Sequence, residues 1–313
     1  MSNPNAPLTS PRIDTQVERN HVPCNLCQSE DRQPYCPENG RGLVQCLNCG
    51  LVYASPRPDS NELYALYGET YFKNDDDGTV GYHDYIADER NIRKSFNRRL
   101  DRLHRFIEPI KGDDKLLDVG CAVGFFIDEA SKRGWQVAGV DVSGFAIDYI
   151  KARFGHDAYN VSILDETPFQ EGSYRLITLW DVIEHVPDPK GHIEQIARLL
   201  QPGGIVALMT PDVQSLPARL TGKRWIGYKL SDEHVYYFDV KTLTRMLNEA
   251  GFDVVDVRHE GKFVTMRLFL DRLGFYLPWL ARPLQLLERT FKLSEQSAYV
   301  NPFDIVWMVA RKR

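Results

Sequence analysis

The stretch Leu116-Leu117-Asp118-Val119-Gly120-Cys121-Ala122-Val123-Gly124 decides the fold of this chain. Its apolar start is typical of a buried strand, its small residues of a tight turn, and the apolar residues from Phe125 onward of a helix. In open parallel sheets, ligands bind at the carboxyl ends of strands, which is where this turn lies. Asp141 stands 21 residues after Gly120, at the end of the next predicted strand. A carboxylate there can accept both ribose hydroxyls of a nucleoside, so the stretch predicts a nucleoside-binding turn.

Strands and helices alternate around this stretch. The predicted strands are 116–119, 136–140, 176–180 and 205–209, and the predicted helices are 126–133, 146–153 and 192–200. Such alternation requires crossover connections, which place the strands side by side in one direction. The pattern therefore predicts an α/β fold with a mainly parallel sheet.

The C-terminal third continues the pattern with one interruption. A helix is predicted after Asp239, a natural N-cap, and should end at Gly251. A strand is predicted at 253–257, and the last strand at 305–310. Residues 264–293, which lie between these two strands, are apolar and predict a helical insertion.

The residue after Gly124 excludes a dinucleotide site. A nicotinamide enzyme needs a third glycine there, so that the helix can pack closely and receive the pyrophosphate. This chain has Phe125, a bulky ring, at that position. The predicted ligand is therefore a nucleoside without phosphates.

These motifs resemble those of class I S-adenosylmethionine-dependent methyltransferases. The turn at 118–124 is similar to their Asp-x-Gly-x-Gly-x-Gly motif, with Ala122 replacing the middle glycine. Residues 180–189 (WDVIEHVPDP) resemble the fourth-strand motif of the ubiquinone-biosynthesis type, in the methyltransferase type 23 family, and residues 200–204 (LQPGG) resemble the turn before its fifth strand. The resemblance covers roughly residues 60–313 and implies a Rossmann-like, seven-stranded sheet with the last strand antiparallel.

The resemblance also implies a pocket for S-adenosyl-L-methionine. The expected contacts are Asp118, Gly120, Cys121, Ala122, Gly124, Phe125, Asp141, Val142, Ile163, Leu164 and Trp180. Two of these positions depart from the family. Ile163 stands where relatives often carry an acid for the adenine amine, and Ala122 fits the turn if its φ is negative. Cys121 is expected to be a small packing residue rather than a nucleophile.

Glu184, His185 and His234 are the candidate catalytic residues. Methyl transfer requires removal of the acceptor's proton, and a positioned histidine suits that role because it titrates near neutrality. His185 should lie beside the methyl group, and His234 on the loop that covers the acceptor. In the alternative interpretation, Glu184 satisfies loop amides and His185 packs under the cofactor. A divalent cation at Asp181, Glu184 and His185 is a less favoured alternative.

A lid is predicted at residues 213–237. Its segment Gly222-Lys223-Arg224-Trp225 combines basic and aromatic groups, which would suit an anionic or sugar-bearing acceptor. The predicted function is methyl transfer to a small-molecule acceptor, most plausibly O-methylation of a metabolite or glycan intermediate.

The N-terminal cysteines predict a structural zinc site. Cys24-x-x-Cys27, eighteen residues, then Cys46-x-x-Cys49 is the spacing of a four-cysteine zinc ribbon. Such a short module has too little core to fold alone, so Zn²⁺ would supply much of its stability. Cys36 is expected to be spare, since a closed tetrahedral site needs four ligands.

Two further functions remain open. The ribbon and the basic helix bearing Arg90, Arg93, Lys94, Arg98, Arg99, Arg102 and Arg105 would suit an RNA methyltransferase. The net charge of −5 disfavours that reading, and a charged run on an amphipathic helix is usually a solvated face. The other alternative is a non-catalytic, methyltransferase-fold binding subunit, which Ala122 and Ile163 would favour. The ribbon or the insertion could also mediate homodimer formation or dock a carrier.

The predicted organisation is a disordered tail at 1–20, the ribbon and a linker at 21–58, and the methyltransferase domain at 59–313. No segment has the pattern of a signal peptide or of a membrane span. A cytoplasmic location is therefore expected, with reduced cysteines.

Overall fold

The computed structural model describes residues 21–36, 42–73, 85–107, 109–228, 233–291 and 296–313. The predicted disordered tail at 1–20 lies outside the described residues, and so does the side chain of Cys36.

The strands occur in three sheets. They are β1 (Arg32–Cys36), β2 (Leu43–Cys46), β3 (Val52–Ala54), β4 (Lys115–Val119), β5 (Gln136–Asp141), β6 (Asp157–Asn160), β7 (Tyr174–Trp180), β8 (Leu200–Pro211), β9 (Tyr236–Tyr237), β10 (Phe252–His259), β11 (Lys262–Thr265), β12 (Ser297–Val300) and β13 (Ile305–Lys312).

The helices connect and cover these sheets. They are α1 (Ser60–Ala65), α2 (Glu69–Phe72), α3 (Glu89–Leu103), α4 (Phe125–Ser131), α5 (Gly144–Arg153), α6 (Pro189–Leu199), α7 (Leu216–Thr221), α8 (Val240–Glu249), α9 (Met266–Tyr276) and α10 (Pro278–Phe291), with 3₁₀ turns at Gly222–Arg224 and Ile226–Tyr228.

The central sheet has seven strands in the order β10-β13-β8-β7-β4-β5-β6. β4 pairs in parallel with both β5 and β7, and β13 is antiparallel to both β8 and β10. The predicted α/β, Rossmann-like sheet with an antiparallel last strand is therefore confirmed. The chain moves outward from β4 to β6 and then returns to β7, so the strand order reverses between β4 and β7. A crevice forms at the carboxyl ends of strands where the order reverses, and these two ends hold the predicted site.

Two apolar layers enclose the sheet. On one face, α3, α4 and α5 contribute Phe96, Phe126 and Ile147 to a common core. On the other face, α6 and α8 contribute residues such as Ile193 and Leu243. This second core also contains residues of the cysteine region. The parts of the chain before and after the predicted boundary at residue 58 therefore share one core.

The cysteine region docks on the main domain through a second sheet, of order β1-β2-β3-β9. Its third strand pairs with β9, with Val52 opposite Tyr237 and Tyr53 opposite Tyr236. The Asn25 amide donates to Asp188 Oδ1 at 2.8 Å, and its oxygen accepts the Lys190 amide at 2.9 Å. Asn25 thereby satisfies a free N–H group at the start of α6.

The insertion before the last strand is a helical hairpin on a two-stranded base. β11 pairs with β12, and α9 and α10 lie between them. The base contacts the main domain, since the Phe263 amide donates to Ser95 Oγ of α3 at 2.9 Å. Among the described residues, no helix is long and apolar enough to cross a bilayer.

Candidate active site

The turn after β4 requires glycine at two positions. Gly120 and Gly124 have φ of +71° and +82°, in the left-handed region that side chains disfavour. A Cβ at Gly120 would lie 2.4 Å from Val182 Cγ2, so the loops after β4 and β7 touch here. The predicted cofactor turn thus lies directly against the motif that carries Glu184 and His185.

Ala122, at the middle position of the motif, adopts a φ of +48°. The expectation that alanine fits through a negative φ is therefore wrong. Ala122 adopts a backbone conformation that favours glycine, so its methyl group strains the backbone at this position.

Asp141 holds the turn in place. Its Oδ2 accepts the Ala122 amide at 2.8 Å, and its Oδ1 accepts the Ser143 amide at 2.9 Å. Burial raises the pKa of Asp141, and the hydrogen bonds from these amides oppose that rise. The Val142 amide also bonds this carboxylate, and of its roughly four acceptor positions one remains for a ligand hydroxyl.

Asp118 lies beneath the turn rather than at its surface. It is buried, and its Oδ1 accepts the Thr178 hydroxyl at 2.6 Å. Burial raises the pKa of Asp118 well above its usual value, while the Thr178 hydrogen bond opposes this. The structure therefore places Asp118 as a support between β4 and β7. Cys121 is likewise buried, and its sulfur occupies the space beside Gly139.

The two large aromatic side chains predicted for the pocket lie in the core. The Phe125 ring stacks on Tyr85 at 5.9 Å and is buried. Trp180 stacks on Trp307 at 5.4 Å and contacts Phe126 edge-on. Both side chains therefore belong to the buried core rather than to an open pocket surface.

The loop after β6 is shaped by local hydrogen bonds. Asp165 Oδ2 accepts the Ser162 amide at 2.9 Å, which uses one oxygen of that carboxylate within the loop. Ile163 is buried and Leu164 is exposed. Val142, half-buried, directly follows Asp141. Leu164 and Val142 therefore offer apolar surface for a base, while Ile163 packs beneath them in the core.

Arg99 is a buried cation that the sequence reasoning treated as part of a solvated face. Its side chain lies over the rings of Trp180 and Phe96, each at 5.1 Å. Within the described residues, its Nε has no hydrogen-bond partner and its guanidinium has no ion pair. The signal was available in the spacing, because position 99 falls on the apolar stripe formed by Ile92, Phe96 and Leu103.

The other basic residues of α3 are mostly paired with carboxylates. Arg93 binds Glu89 at 2.7 Å and also contacts the two acids of α4, and both Arg98 and Arg102 bind the buried Glu260. Arg93 and Arg102 each keep only 17% of their side-chain surface in solvent, so the predicted solvated face is limited to positions such as Arg90 and Arg98. The ion pairs leave little free positive charge for a nucleic acid.

His185 has a defined tautomer. Its Nδ1 lies 3.1 Å from the Glu233 carbonyl oxygen and 2.9 Å from the Tyr67 hydroxyl. A carbonyl only accepts, so Nδ1 carries the proton and Nε2 carries the lone pair. Burial lowers the pKa of His185 to about 4, so the ring is neutral at physiological pH.

Glu184 and His234 complete a compact cluster with His185. The two imidazole rings are 4.6 Å apart, and Glu184 Oε1 lies 3.8 Å from His185 Nε2. In the described part of the chain, the two carboxylate oxygens of Glu184 have no hydrogen-bond partner, and His234 Nδ1 has none either. Burial, together with the Asp181 carboxylate, raises the pKa of Glu184 to about 8, and burial lowers the pKa of His234 well below its usual value. The structure thus brings together all three predicted catalytic residues.

Asp181 stands outside this cluster. Its Oδ2 binds Lys262 Nζ at 2.8 Å. Burial alone would raise the pKa of Asp181, but the Lys262 ammonium holds it below its usual value. The predicted cation set of Asp181, Glu184 and His185 therefore does not fit. The ligand atoms that come within 4.8 Å of one another belong to Glu184, His185 and His234.

The predicted lid is only partly an acceptor surface. Trp225 is buried, and its Nε1 donates to Asp304 at 3.0 Å, so it packs under the lid. Arg219, Lys223 and Arg224 are exposed. Residues 229–232 of the lid lie outside the described residues.

The four predicted zinc ligands converge. Cys24 Sγ lies 3.4 Å from Cys49 Sγ, and Cys27 Sγ lies 3.5 Å from Cys46 Sγ. All four sulfurs lie within 4.8 Å of one another, and the cysteines are free thiols. A tetrahedral Zn²⁺ with bonds near 2.3 Å sets its sulfurs about 3.8 Å apart, so the donor set fits that ion.

Comparison with known proteins places the chain among methyltransferases. Residues 90–257 match a family described as a methyltransferase domain. The ubiquinone biosynthesis O-methyltransferase of Escherichia coli is 29% identical over 126 residues, which cover 39% of this chain and 50% of that protein. The protein of the same name from Thiobacillus denitrificans is 28% identical over 159 residues, covering 48% of this chain and 68% of the relative. The chain thus spans about half the length of the first of these relatives.

A solved structure shares the fold. Geranyl diphosphate C-methyltransferase from Streptomyces coelicolor superposes with a TM-score of 0.54 at 16% identity, over 82% of this chain and 100% of that one. At this identity the likeness concerns the fold alone.

Proposed function

Because the chain belongs to the methyltransferase-domain family matched by residues 90–257, we propose that it transfers the methyl group of S-adenosylmethionine to an oxygen of a small-molecule acceptor. The observation that carries this proposal is the contact of the cofactor turn with the motif after β7. Val182 abuts Gly120, Glu184 and His185 follow Val182 within three residues, and His234 from the loop before β9 joins them in space.

The cofactor is bound by groups of three kinds. The remaining acceptor position of Asp141 takes a ribose hydroxyl, and the exposed side chain of Leu164, with half-buried Val142, faces the adenine. Arg99 provides the cation for the carboxylate of the methionine part. A buried guanidinium without a carboxylate partner is costly, and a ligand carboxylate would compensate for that cost.

The proton acceptor is a neutral imidazole. As the acceptor oxygen attacks the methyl carbon, the O–C bond forms and the S–CH₃ bond breaks, which leaves neutral S-adenosylhomocysteine. The hydroxyl proton moves to His185 Nε2, whose Nδ1–H is held by the Glu233 carbonyl. His234 lies beside it and confines the acceptor within the cluster.

The cysteine region would act as a zinc-dependent wall of the acceptor side. Zn²⁺ at Cys24, Cys27, Cys46 and Cys49 would fix the knuckles that carry β3. The Ala54 amide in β3 donates to the Val235 carbonyl at 2.9 Å, one residue after His234. The ribbon therefore supports the position of His234, and we infer this role in preference to RNA binding.

Calorimetry and turnover test the proposal in sequence. S-adenosylmethionine should bind the purified chain, and S-adenosylhomocysteine should form with some members of a panel of catechols, phenols and sugars. Replacing His185 by Gln should lower turnover by about 10²- to 10⁴-fold while leaving cofactor affinity intact. Cofactor binding without turnover on any acceptor, RNA included, would instead indicate a binding subunit.

The role of Arg99 has a test of its own. Arg99→Met should weaken S-adenosylhomocysteine binding about 10- to 100-fold, because a charge-assisted hydrogen bond is lost. It should leave the binding of 5′-methylthioadenosine, which lacks the carboxylate, unchanged. Arg98→Met, one position away with a half-exposed side chain, is the matched control. Equal losses for both ligands would contradict the assignment.

A divalent cation would be the alternative use of the acceptor cluster. Its ligands would be Glu184, His185 and His234, a carboxylate and two imidazoles that suit Zn²⁺ or Mn²⁺. Turnover that EDTA abolishes and Mn²⁺ restores, while the cysteine zinc content stays constant, would favour the cation. Turnover that is indifferent to EDTA supports direct proton transfer to imidazole.

A further inference from the structure

The helix α10 exposes an apolar face that no described residue covers. Its apolar positions 279, 283, 286 and 287 recur at helical spacing and are exposed, and Arg282 and Thr290 lie exposed on the same side. Trp279 and Leu286 have 72% and 67% of their surface in solvent. The opposite face packs on α9, where Ala281 lies against Gly274. The exposed face is thus the outer side of a packed hairpin.

The same hairpin has a local excess of positive charge. Arg267, Arg272 and Arg282 are exposed, while Asp271 is the one exposed acid among the side chains described in α9 and α10. Its carboxylate accepts the Gln285 amide at 3.1 Å. The whole chain has the opposite sign, with a net charge of −5. Positive charge is therefore concentrated beside the apolar face.

The lid helix α7 extends this surface. Leu216 and Leu220 are exposed at 67% and 77%, and Arg219 lies exposed between them. The lid is joined to the hairpin, since the Ile226 amide donates to the Tyr276 hydroxyl at 2.8 Å. The 3₁₀ turns that follow α7 thus contact the end of α9, and α7 ends three residues before the first of these contacts.

We propose that this hairpin surface, formed by the outer face of α10 with the arginines of α9 and the adjoining α7, binds an anionic membrane surface. An interfacial helix presents Trp and Leu to the acyl boundary and arginine to the lipid phosphates, which is the composition found here. At 14 residues α10 is too short to span a bilayer, so it lies on the membrane. Exposed Leu277 and Trp279 at the turn would enter the interface first.

The charges favour a lipid surface over a second copy of the chain. A two-fold contact through the outer face of α10 would bring Arg282 near its own copy, with like charges opposed. Exposed carboxylates to balance them are scarce among the described residues of the hairpin. An anionic bilayer supplies the complementary charge over the whole surface.

Vesicle sedimentation of the full chain tests the proposal. Vesicles of phosphatidylcholine with about one-third phosphatidylglycerol should sediment the protein, and pure phosphatidylcholine should retain much less of it. Raising the salt from about 0.1 M to about 0.5 M should weaken binding, since it screens the arginines.

Three variants separate the contributions. Trp279→Ser with Leu286→Ser should lower the partition coefficient at least about tenfold. Arg272→Gln with Arg282→Gln should lower it roughly 25-fold, about fivefold per cation, for anionic vesicles alone. The matched control is Val255→Ser with Val257→Ser, which removes two exposed apolar side chains from β10 and should change nothing. Cofactor affinity should be equal in all variants, which keeps this test independent of the proposed activity.

Two results would overturn the proposal. One is that the hairpin variants bind anionic vesicles as strongly as the β10 control does. The other is a wild-type protein that does not bind vesicles and is a dimer by light scattering, together with a Trp279→Ser/Leu286→Ser variant that is a monomer. That second result would assign the surface to a contact between copies.

Discussion

Ala122 has a strained backbone conformation that the residues around it impose. Its amide is held by Asp141, and its φ of +48° places a methyl group in a region where glycine is unstrained. A left-handed conformation costs a non-glycine residue about 1–2 kcal/mol, whereas glycine loses about 0.5–1 kcal/mol of chain entropy on folding. The first effect is the larger, so strain outweighs the entropic advantage of alanine.

Ala122→Gly should therefore stabilise the protein by about 0.5–1 kcal/mol in denaturant unfolding. Ala197→Gly, in the interior of α6, is the matched control and should destabilise it by about 1 kcal/mol. If both variants lose stability equally, the turn is unstrained at position 122.

His185 should make stability depend on pH. Its pKa is about 4 in the folded chain and about 6.5 when unfolded, so the unfolded chain binds more protons between these values. The raised pKa of Glu184 acts in the opposite direction in wild type and variant alike. From His185 alone, stability should fall as pH drops below 6.5, by about 2 kcal/mol at pH 5. In His185→Gln this contribution is absent. Denaturant unfolding of both proteins at pH 7.5, 6 and 5 measures it, and parallel curves would contradict the burial of a neutral ring.

Short motifs predicted where Asp141, Glu184 and His185 lie, because such motifs fix the positions of residues after particular strands. They did not predict the φ of Ala122, which follows from the closure of the whole turn. The sequence also assigned Arg99 to solvent, since a run of arginines suggests a solvated face. The helical register that buries one of them depends on Trp180, 81 residues away in the chain.

At the scale of elements, the link between the cysteine region and α6 is the contact most open to a test. The Asn25 side chain bridges Asp188 and the Lys190 amide at the helix start. The parallel direction of the strands and the approximate place of the insertion could be predicted, because alternation of strands and helices and apolar composition are local patterns. The pairing of β3 with β9 could not, since neither strand contains information about its partner and β9 has two residues.

Asn25→Ala should leave an unsatisfied N–H group at α6 and cost about 1–2 kcal/mol of unfolding free energy. It should also lower turnover while leaving the dissociation constant of S-adenosylmethionine unchanged, because the shifted region pairs through β3 with β9, two residues after His234. Asn61→Ala, at an exposed position of α1, is the control. A change in cofactor affinity with unchanged turnover would place the bridge on the donor side instead.

At the scale of the whole molecule, one apolar core joins the cysteine region to the sheet. Cys24, Leu26 and Tyr53 lie in the same cluster as Ile183 and Phe238. The sequence predicted the four zinc ligands from their spacing, and it predicted that so short a module could not fold alone, but it did not predict which part of the main domain completes its core. The shared core depends on contacts between distant parts of the chain, which local patterns do not encode.

Metal removal should therefore affect the entire protein. Cys46→Ser should abolish stoichiometric zinc, measured by mass spectrometry, and lower the unfolding free energy by at least ~3 kcal/mol in a single transition. Cys36→Ser, at the cysteine predicted to be spare, should leave the zinc content and the unfolding free energy unchanged. A separate early transition for the cysteine region, with the main transition unmoved, would show that the two parts unfold independently.

The pairing of Tyr53 with Tyr236 also has a consequence for the order of events during synthesis. At about 5–20 residues per second, the ribosome needs roughly 10–40 s to reach β9 after it has made β3. Throughout that interval the N-terminal sheet lacks its last strand and the core beneath it. Early capture of the metal by the four thiolates would hold the nascent segment in shape until its partner is made. Limiting zinc during translation should then reduce the yield of folded chain more than the same limitation imposed afterwards.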